Sequence, residues 1–244
     1  MRDFITALQF LTTIRIVKEE VHSSEEFARS MSYYPLVGLV IGAILAGLAY
    51  LANLRLSPLL VGAIILVAEI VISGGLHLDG YMDTMDGIFS GRSRERILEI
   101  MKDSRVGAHA VIALGGLFVL KFALLVQLAT FQLWTVLLVI PALGRMTMGI
   151  GASLFPYARA EGMGKTFANT FSRRKLLVSV AYTAVAAVLL CGWRGLGLWA
   201  VAVIWGWLFA RFVAGRIGGL TGDVYGALNE LTEAVVLLVV VFTV

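Results

Sequence analysis

Asp79, Asp83 and Asp86 stand four and then three residues apart within the stretch Gly74–Gly116. On a helix of about 3.6 residues per turn that spacing puts all three carboxylates on one face. Like charges on one face repel unless a cation joins them. Oxygen donors suit Mg²⁺, which is usually held by a carboxylate or two together with substrate phosphates. Gly80 and Gly87 sit among the acids and permit close approach of backbone or ligand. The pattern therefore points to metal-assisted chemistry on a phosphate-containing substrate. Its bland alternative is a solvated acidic helix end.

Two further groups bear on the same chemistry. Arg92, Arg94, Arg96, Lys102 and Arg105 follow directly. Arginine grips phosphate through a rigid fork of donors, so acids for metal and arginines for phosphate suit a pyrophosphate. Topology alone also explains some of these charges. Glu95 and Glu99 pair with neighbouring cations and read as structural. Near the other end, Asp223, Glu230 and Glu233 lie seven and three residues apart, with Asn229 adjacent. Carboxylates entering an apolar helix mark a functional site by default; the alternative is an ion pair with Arg211 or Arg145. His77 is a candidate ligand or proton shuttle, or simply an interfacial residue. Glu69 lies mid-span, with Lys121 or Arg145 as partner.

The elements that must position these groups are membrane helices. Of 244 residues 59% are hydrophobic and 15% charged, where a soluble domain carries roughly 25% charged residues. The expected fold is all-α: a polytopic transmembrane bundle forming one domain over residues 1–244. Seven spans are expected, near Tyr34–Leu54, Pro58–Leu76, Gly107–Ala129, Leu133–Phe155, Leu176–Trp193, Leu196–Ala214 and Gly226–Val244. Arg2–Val17 reads as an amphipathic interfacial or packing helix, with no cleavable signal peptide, and Lys18–Ser32 as a solvated loop or short helix. The lone Cys191 excludes an internal disulfide and a cysteine-rich metal site. Taking the N-terminal segment and every second loop as one side gathers 15 Lys and Arg residues there, against Arg55 and Arg194 on the other. That asymmetry predicts a cytoplasmic N-terminus and chemistry facing the cytoplasm.

The chain resembles the cobalamin synthase family, also called adenosylcobinamide-GDP ribazoletransferase. The resemblance rests on Gly74–Gly75, His77–Leu78–Asp79–Gly80, Asp83–Thr84, Asp86–Gly87, Ser93–Arg94–Glu95–Arg96 and the run Glu99–Gly107. It extends to Phe10–Thr13, Tyr34–Gly38, Pro156–Gly162 and Gly218–Asp223, and so covers essentially the whole chain. Tyr81–Met82 departs from the family, which more often has leucine and a small residue there. The resemblance implies a Mg²⁺-dependent enzyme of the bacterial inner membrane, acting late in cobalamin assembly. A ribose hydroxyl of α-ribazole, or of its 5′-phosphate, would attack the phosphorus bearing the cobinamide arm of adenosylcobinamide-GDP, and GMP would leave. In that reading Asp79, Asp83 and Asp86 hold Mg²⁺, and one of them, or Asp103, accepts the hydroxyl proton. Arg94, Arg96 and Arg105 hold phosphate oxygens, and Asp223, Asn229 and Glu230 complete the pocket. Expected partners are the two substrates and membrane lipid, with no nucleic acid. A homo-oligomer or association with other corrinoid enzymes is also compatible.

Two rivals make different demands. Phosphotransferases using a CDP-activated donor carry D-G-x-x-A-R, and no such arginine follows Asp79–Gly80 here. A cation transporter would need acids near mid-membrane on several spans and routes to both faces.

Overall fold

A computed structural model describes residues 2–17, 23–132 and 134–243. Among them are twelve α-helices and no strand. In chain order these are α1 (Arg2–Leu11), α2 (Ser24–Ser30), α3 (Tyr34–Asn53), α4 (Pro58–Ser73), α5 (Leu76–Phe89) and α6 (Arg94–Ile100). Then follow α7 (Ala108–Thr130), α8 (Trp134–Leu137), α9 (Ile140–Leu154), α10 (Met163–Thr170), α11 (Arg173–Ile217) and α12 (Gly222–Phe242).

Five helical stretches are long and apolar enough to cross a membrane, or six if the bent pair α4–α5 is one span. The expected seven is not reached by this measure, and two places explain the difference. The α4 helix has 16 residues and ends at Gly74–Gly75, both left-handed, where the chain bends by 93° into α5. The 45-residue α11 is interrupted at Gly192 (φ 62°, ψ −150°). Beyond that break Trp199 Nε1 donates to the Val180 carbonyl at 3.1 Å, so the two parts of α11 lie against each other. Large apolar side chains face outward along these helices, among them Ile112 (72% exposed), Leu189 (79%) and Trp193 (81%). A continuous apolar exterior on helices that satisfy their own backbone hydrogen bonds is what lipid covers.

The N-terminal helix is shorter than Arg2–Val17. It stops at Leu11 and packs Ala7, Leu8 and Leu11 inward. Gln9 Oε1 accepts from the Ile16 and Val17 N–H groups, which ties down the following turn. Thr13 donates from its N–H to the Ile72 carbonyl at 2.7 Å and from its hydroxyl to that of Val71 at 3.1 Å. The bond to Ile72 satisfies a carbonyl that the end of α4 would leave unpaired, and that to Val71 supplements the Gly74 N–H on the same oxygen. Of the expected loop Lys18–Ser32, residues 18–22 lie outside the described residues. The rest forms α2, which starts with a Ser23–Glu26 capping box.

At the centre α9 is buried by α3, α11 and α12. Gly38 allows α3 to touch it: a Cβ there would lie 2.5 Å from the Pro141 carbonyl oxygen. Small residues permit such close crossings. The α12 helix packs between α9 and α5, so it joins the core to the acid-bearing helix.

Candidate active site

The three aspartates lie on α5, as their spacing requires. The helix turns His77, Gly80, Tyr81, Thr84 and Ile88 inward and leaves Asp79 exposed and Asp83 and Asp86 half-buried. Its inward face is fitted to two neighbours. The Tyr81 hydroxyl donates to the Ala113 carbonyl of α7 at 3.1 Å. Against α12, a Cβ on Gly80 would come 2.7 Å from the Asp223 carbonyl oxygen, and one on Gly226 2.9 Å from that of His77. Both glycines are needed for the contact rather than for any special backbone angle.

Asp79, Asp83 and Asp86 line a cavity of about 270 Å³. Its opposite wall comes from the segment 101–107, whose residues from Lys102 to Gly107 line the cavity and include Asp103 and Arg105. Asp86 presses its carboxylate against Gly107, where a Cβ would collide with both oxygens. An adjoining cleft of about 580 Å³ shares Asp86, Asp103 and Arg105 and adds Arg92, Arg96 and His109. His109 Nδ1 lies 4.0 Å from Asp86. Arg105 engages Asp103 through Nη2 at 2.7 Å and Nε at 3.0 Å, and these bonds hold the Asp103 carboxyl down to about 2. Arg96 pairs with Glu99 at 2.7 Å, which fits the structural reading of that acid. Arg94 points elsewhere: its guanidinium lies over Gly218, the left-handed cap of α11.

The acids near the C-terminus separate. Asp223, in the first turn of α12, comes close enough to Asp83 and Asp79 for the like charges to repel. Arg159 Nη2 binds its Oδ2 at 2.7 Å, and the Thr221 hydroxyl reaches the same oxygen at 3.2 Å. Arg159 comes from the segment after α9. A two-bond bridge fixes that segment: Ala158 N–H donates to Leu220 O, and Leu220 N–H to Pro156 O, each at 2.8 Å.

Asn229 and Glu230 are not brought to the cavity. They lie deeper in the bundle, in a closed ionic cage. Lys121 Nζ sits 2.8 Å from Glu69, 3.0 Å from Glu233 and 3.1 Å from Glu230. Arg145 binds Glu233 at 3.2 Å, and Asn229 donates to Glu233 at 3.1 Å and Glu230 at 3.3 Å. Lys121 is therefore the direct partner of Glu69, and Glu233 is shared between Lys121 and Arg145. His77 is buried beside this cage, with neither ring nitrogen hydrogen-bonded, rather than interfacial.

Which carboxylates suit a metal ion follows from these surroundings. Among the described residues, Glu69, Glu230 and Glu233 bring ligand oxygens within 4.8 Å of one another. That trio is already bound by Lys121 and Arg145 and almost wholly buried. The α5 aspartates are more widely spread, yet they are open, and no cation pairs directly with Asp79 or Asp83 among the described residues. Mg²⁺ with a phosphate ligand needs only a carboxylate or two and keeps waters. The chemistry of the donor set therefore fits Mg²⁺ at α5 and not in the cage.

The comparisons with known proteins agree over the whole chain. A family model described as cobalamin-5-phosphate synthase matches residues 3–241. The chain belongs to the cobalamin-5-phosphate synthase family. Relatives named adenosylcobinamide-GDP ribazoletransferase include one from Desulfitobacterium hafniense, 41% identical over 98% of this chain and 96% of its own. Others come from Desulforamulus reducens, 40% identical over 96% and 94%, and from Pseudomonas syringae pv. syringae, 41% identical over 98% of both chains. No solved structure matches.

For this cobalamin-5-phosphate synthase relative, reading the residues one by one missed two things. Lys121 looked like one of two partners for Glu69, because no periodicity reveals that three acids from two helices converge on it. Arg159 carries no signal of its own in the sequence beyond the stretch Pro156–Gly162 and the positive charge of its loop. Its contact with Asp223 spans 64 residues of chain, and no local spacing announces it.

Proposed function

We propose that this chain joins adenosylcobinamide-GDP to α-ribazole, or to α-ribazole 5′-phosphate, releasing GMP and forming adenosylcobalamin or its 5′-phosphate. The observation that carries the reading is the cavity in which the α5 aspartates face the cationic segment 101–107. The relatives' printed name supplies the substrates. The cavity supplies groups suited to a diphosphate.

Asp79, Asp83 and Asp86 would hold Mg²⁺. When bound, the ion would neutralise the diphosphate and ease departure of GMP. The chain's own residues do the rest. Arg105 and Arg96 hold phosphate oxygens and keep the attacking and leaving oxygens in line. A ribose hydroxyl forms the new O–P bond to the phosphorus bearing the cobinamide arm. The bond from that phosphorus to the bridging oxygen breaks, and GMP leaves with the electron pair. The hydroxyl proton passes to an Asp83 oxygen. Asp103 is the poorer acceptor, because Arg105 keeps its proton affinity low; it orients Arg105 instead. Arg94, on the turn at Gly218, acts on the site's frame. Asn229 and Glu230 belong to the cage that fixes α12 beneath it. The excess of Lys and Arg on one set of loops supports a cytoplasmic site in the inner membrane.

The test uses purified full-length protein in lipid vesicles with adenosylcobinamide-GDP, Mg²⁺ and either acceptor. GMP and corrinoid products are separated by chromatography. GMP and a new corrinoid should appear together and depend on Mg²⁺. No GMP with either acceptor rejects the reading, and acceptor uptake without GMP favours a transporter.

A further inference from the structure

The stretch Pro156–Gly162 was singled out in the sequence, yet the reaction as described gives it no task. In the structure it delivers one side chain, Arg159, to the back of the acidic site. Its Nη2 lies 2.7 Å from Asp223 Oδ2 and 3.2 Å from the carbonyl oxygen of Met101, the residue that caps α6. The side chain is 12% exposed, and its Nε is buried without a partner. The backbone bridge between Pro156–Ala158 and Leu220 fixes the base of this arginine to the turn that starts α12.

We infer that Arg159 is a positioning residue for the cation site: it holds Asp223 as a fourth carboxylate beside Asp79 and Asp83, and anchors it to the segment forming the opposite wall. The inference rests on the proposed reaction and deepens it. The electrostatics require some such residue. Asp79, Asp83 and Asp223 repel one another, and a side chain free to rotate would swing Asp223 away. An arginine on Oδ2 offsets one negative charge and fixes the rotamer. Both side-chain contacts, from Arg159 and Thr221, fall on Oδ2, and Oδ1 would take a cation or its water. Gly80 brings the α12 turn against α5 closely enough for this to matter. Because the same guanidinium binds Met101 O, the α12 acid and the 101–107 wall are set by one group. Residues that orient metal ligands typically change metal affinity 10–100-fold when removed.

The experiment reads metal binding directly, without substrate. Mn²⁺ serves as the probe, followed by electron paramagnetic resonance on the full chain in phosphatidylcholine vesicles. Melting temperature is measured alongside. Arg159→Ala should weaken Mn²⁺ binding roughly 10–100-fold, and Arg159→Lys, which keeps the charge but loses the fork, should recover part of it. Asp223→Asn should weaken binding similarly, and adding Arg159→Ala to Asp223→Asn should cost little more, because one residue acts through the other. Mn²⁺ affinity within twofold of the unsubstituted protein in Arg159→Ala overturns the inference. So do effects that multiply in the double variant, or a fall in melting temperature that Arg159→Lys restores with no gain in Mn²⁺ affinity. If Arg159→Ala fails to fold, Arg159→Lys and Asp223→Asn carry the comparison. If the unsubstituted protein binds no Mn²⁺, the metal site falls with the inference; if it binds Mn²⁺ but releases no GMP, the proposed reaction falls and the role of Arg159 is still decided by the variants.

Discussion

Two groups of carboxylates lie within one short run of helices, and they have opposite characters. The deeper group, Glu69, Glu230 and Glu233, closes around Lys121 and leaves the ammonium 2% exposed. The shallower group, on α5 with Asp223 behind it, opens into a cavity, and its nearest cations are Arg159 at the back and the 101–107 wall in front. Residue type does not separate them, since each is a set of acids on helix faces. Surroundings do. A buried carboxylate must carry its neutralising cation within the protein. One at a solvent-open cavity can wait for a cation and a phosphate to arrive. The first arrangement binds helices together, and the second binds ligand.

The largest effect expected is at Lys121. Lys121→Met leaves three acids without their shared partner, and uncompensated buried charge costs roughly 3–5 kcal/mol. The variant should accumulate poorly or melt far below the parent in detergent, followed by circular dichroism. A parent-like melting curve would break the contrast, because the cage would then not be structural. Next is Asp83→Asn. GMP release should fall at least about 100-fold, beyond the usual effect of an indirect partner, with melting unchanged within a few degrees. Gly107→Ala sharpens the contrast from the backbone side. The added methyl displaces the Asp86 carboxylate, so turnover should drop about 10-fold, of the size expected for a disturbed ligand support. Saturating Mg²⁺ should recover part of that loss. The smallest effect belongs to Glu99→Gln. It breaks only an exposed pair with Arg96, so melting should not change and the KM for adenosylcobinamide-GDP should change little.

How much of this was legible beforehand depends on the distance over which each feature is encoded. The α5 face, the apolar helices and the basic run are written in spacings of three to twenty residues; α3 and α7 end within a residue of their expected bounds, while α4 stops three residues short. The last expected span starts at Gly226, several residues late, because its wholly apolar part begins only at Ala234 and polar residues hide the start, whereas the structure starts the helix after the Thr221 cap. One expected span, Pro58–Leu76, runs past a break, the elbow at Gly74–Gly75, whereas the break at Gly192 falls beside the expected boundary between Leu176–Trp193 and Leu196–Ala214. A glycine does not announce whether its φ is positive until neighbours demand it. Asp223, Glu230 and Glu233 lie at the spacing of one face of α12, with Asn229 adjacent, yet the structure parts Asp223 from the others. The division is by depth, which the pitch of a helix does not report.

The joint at Gly74–Gly75 has a consequence for how the protein tolerates its surroundings. A rod spanning a bilayer answers a thicker or thinner membrane by tilting. Here α4 ends at a two-residue elbow, and both it and the arm beyond, α5, are fastened to α7, with Glu69 of α4 held by Lys121. A tilt of α7 then carries rod and arm together, so the reaction chamber keeps its shape across membranes of different acyl length.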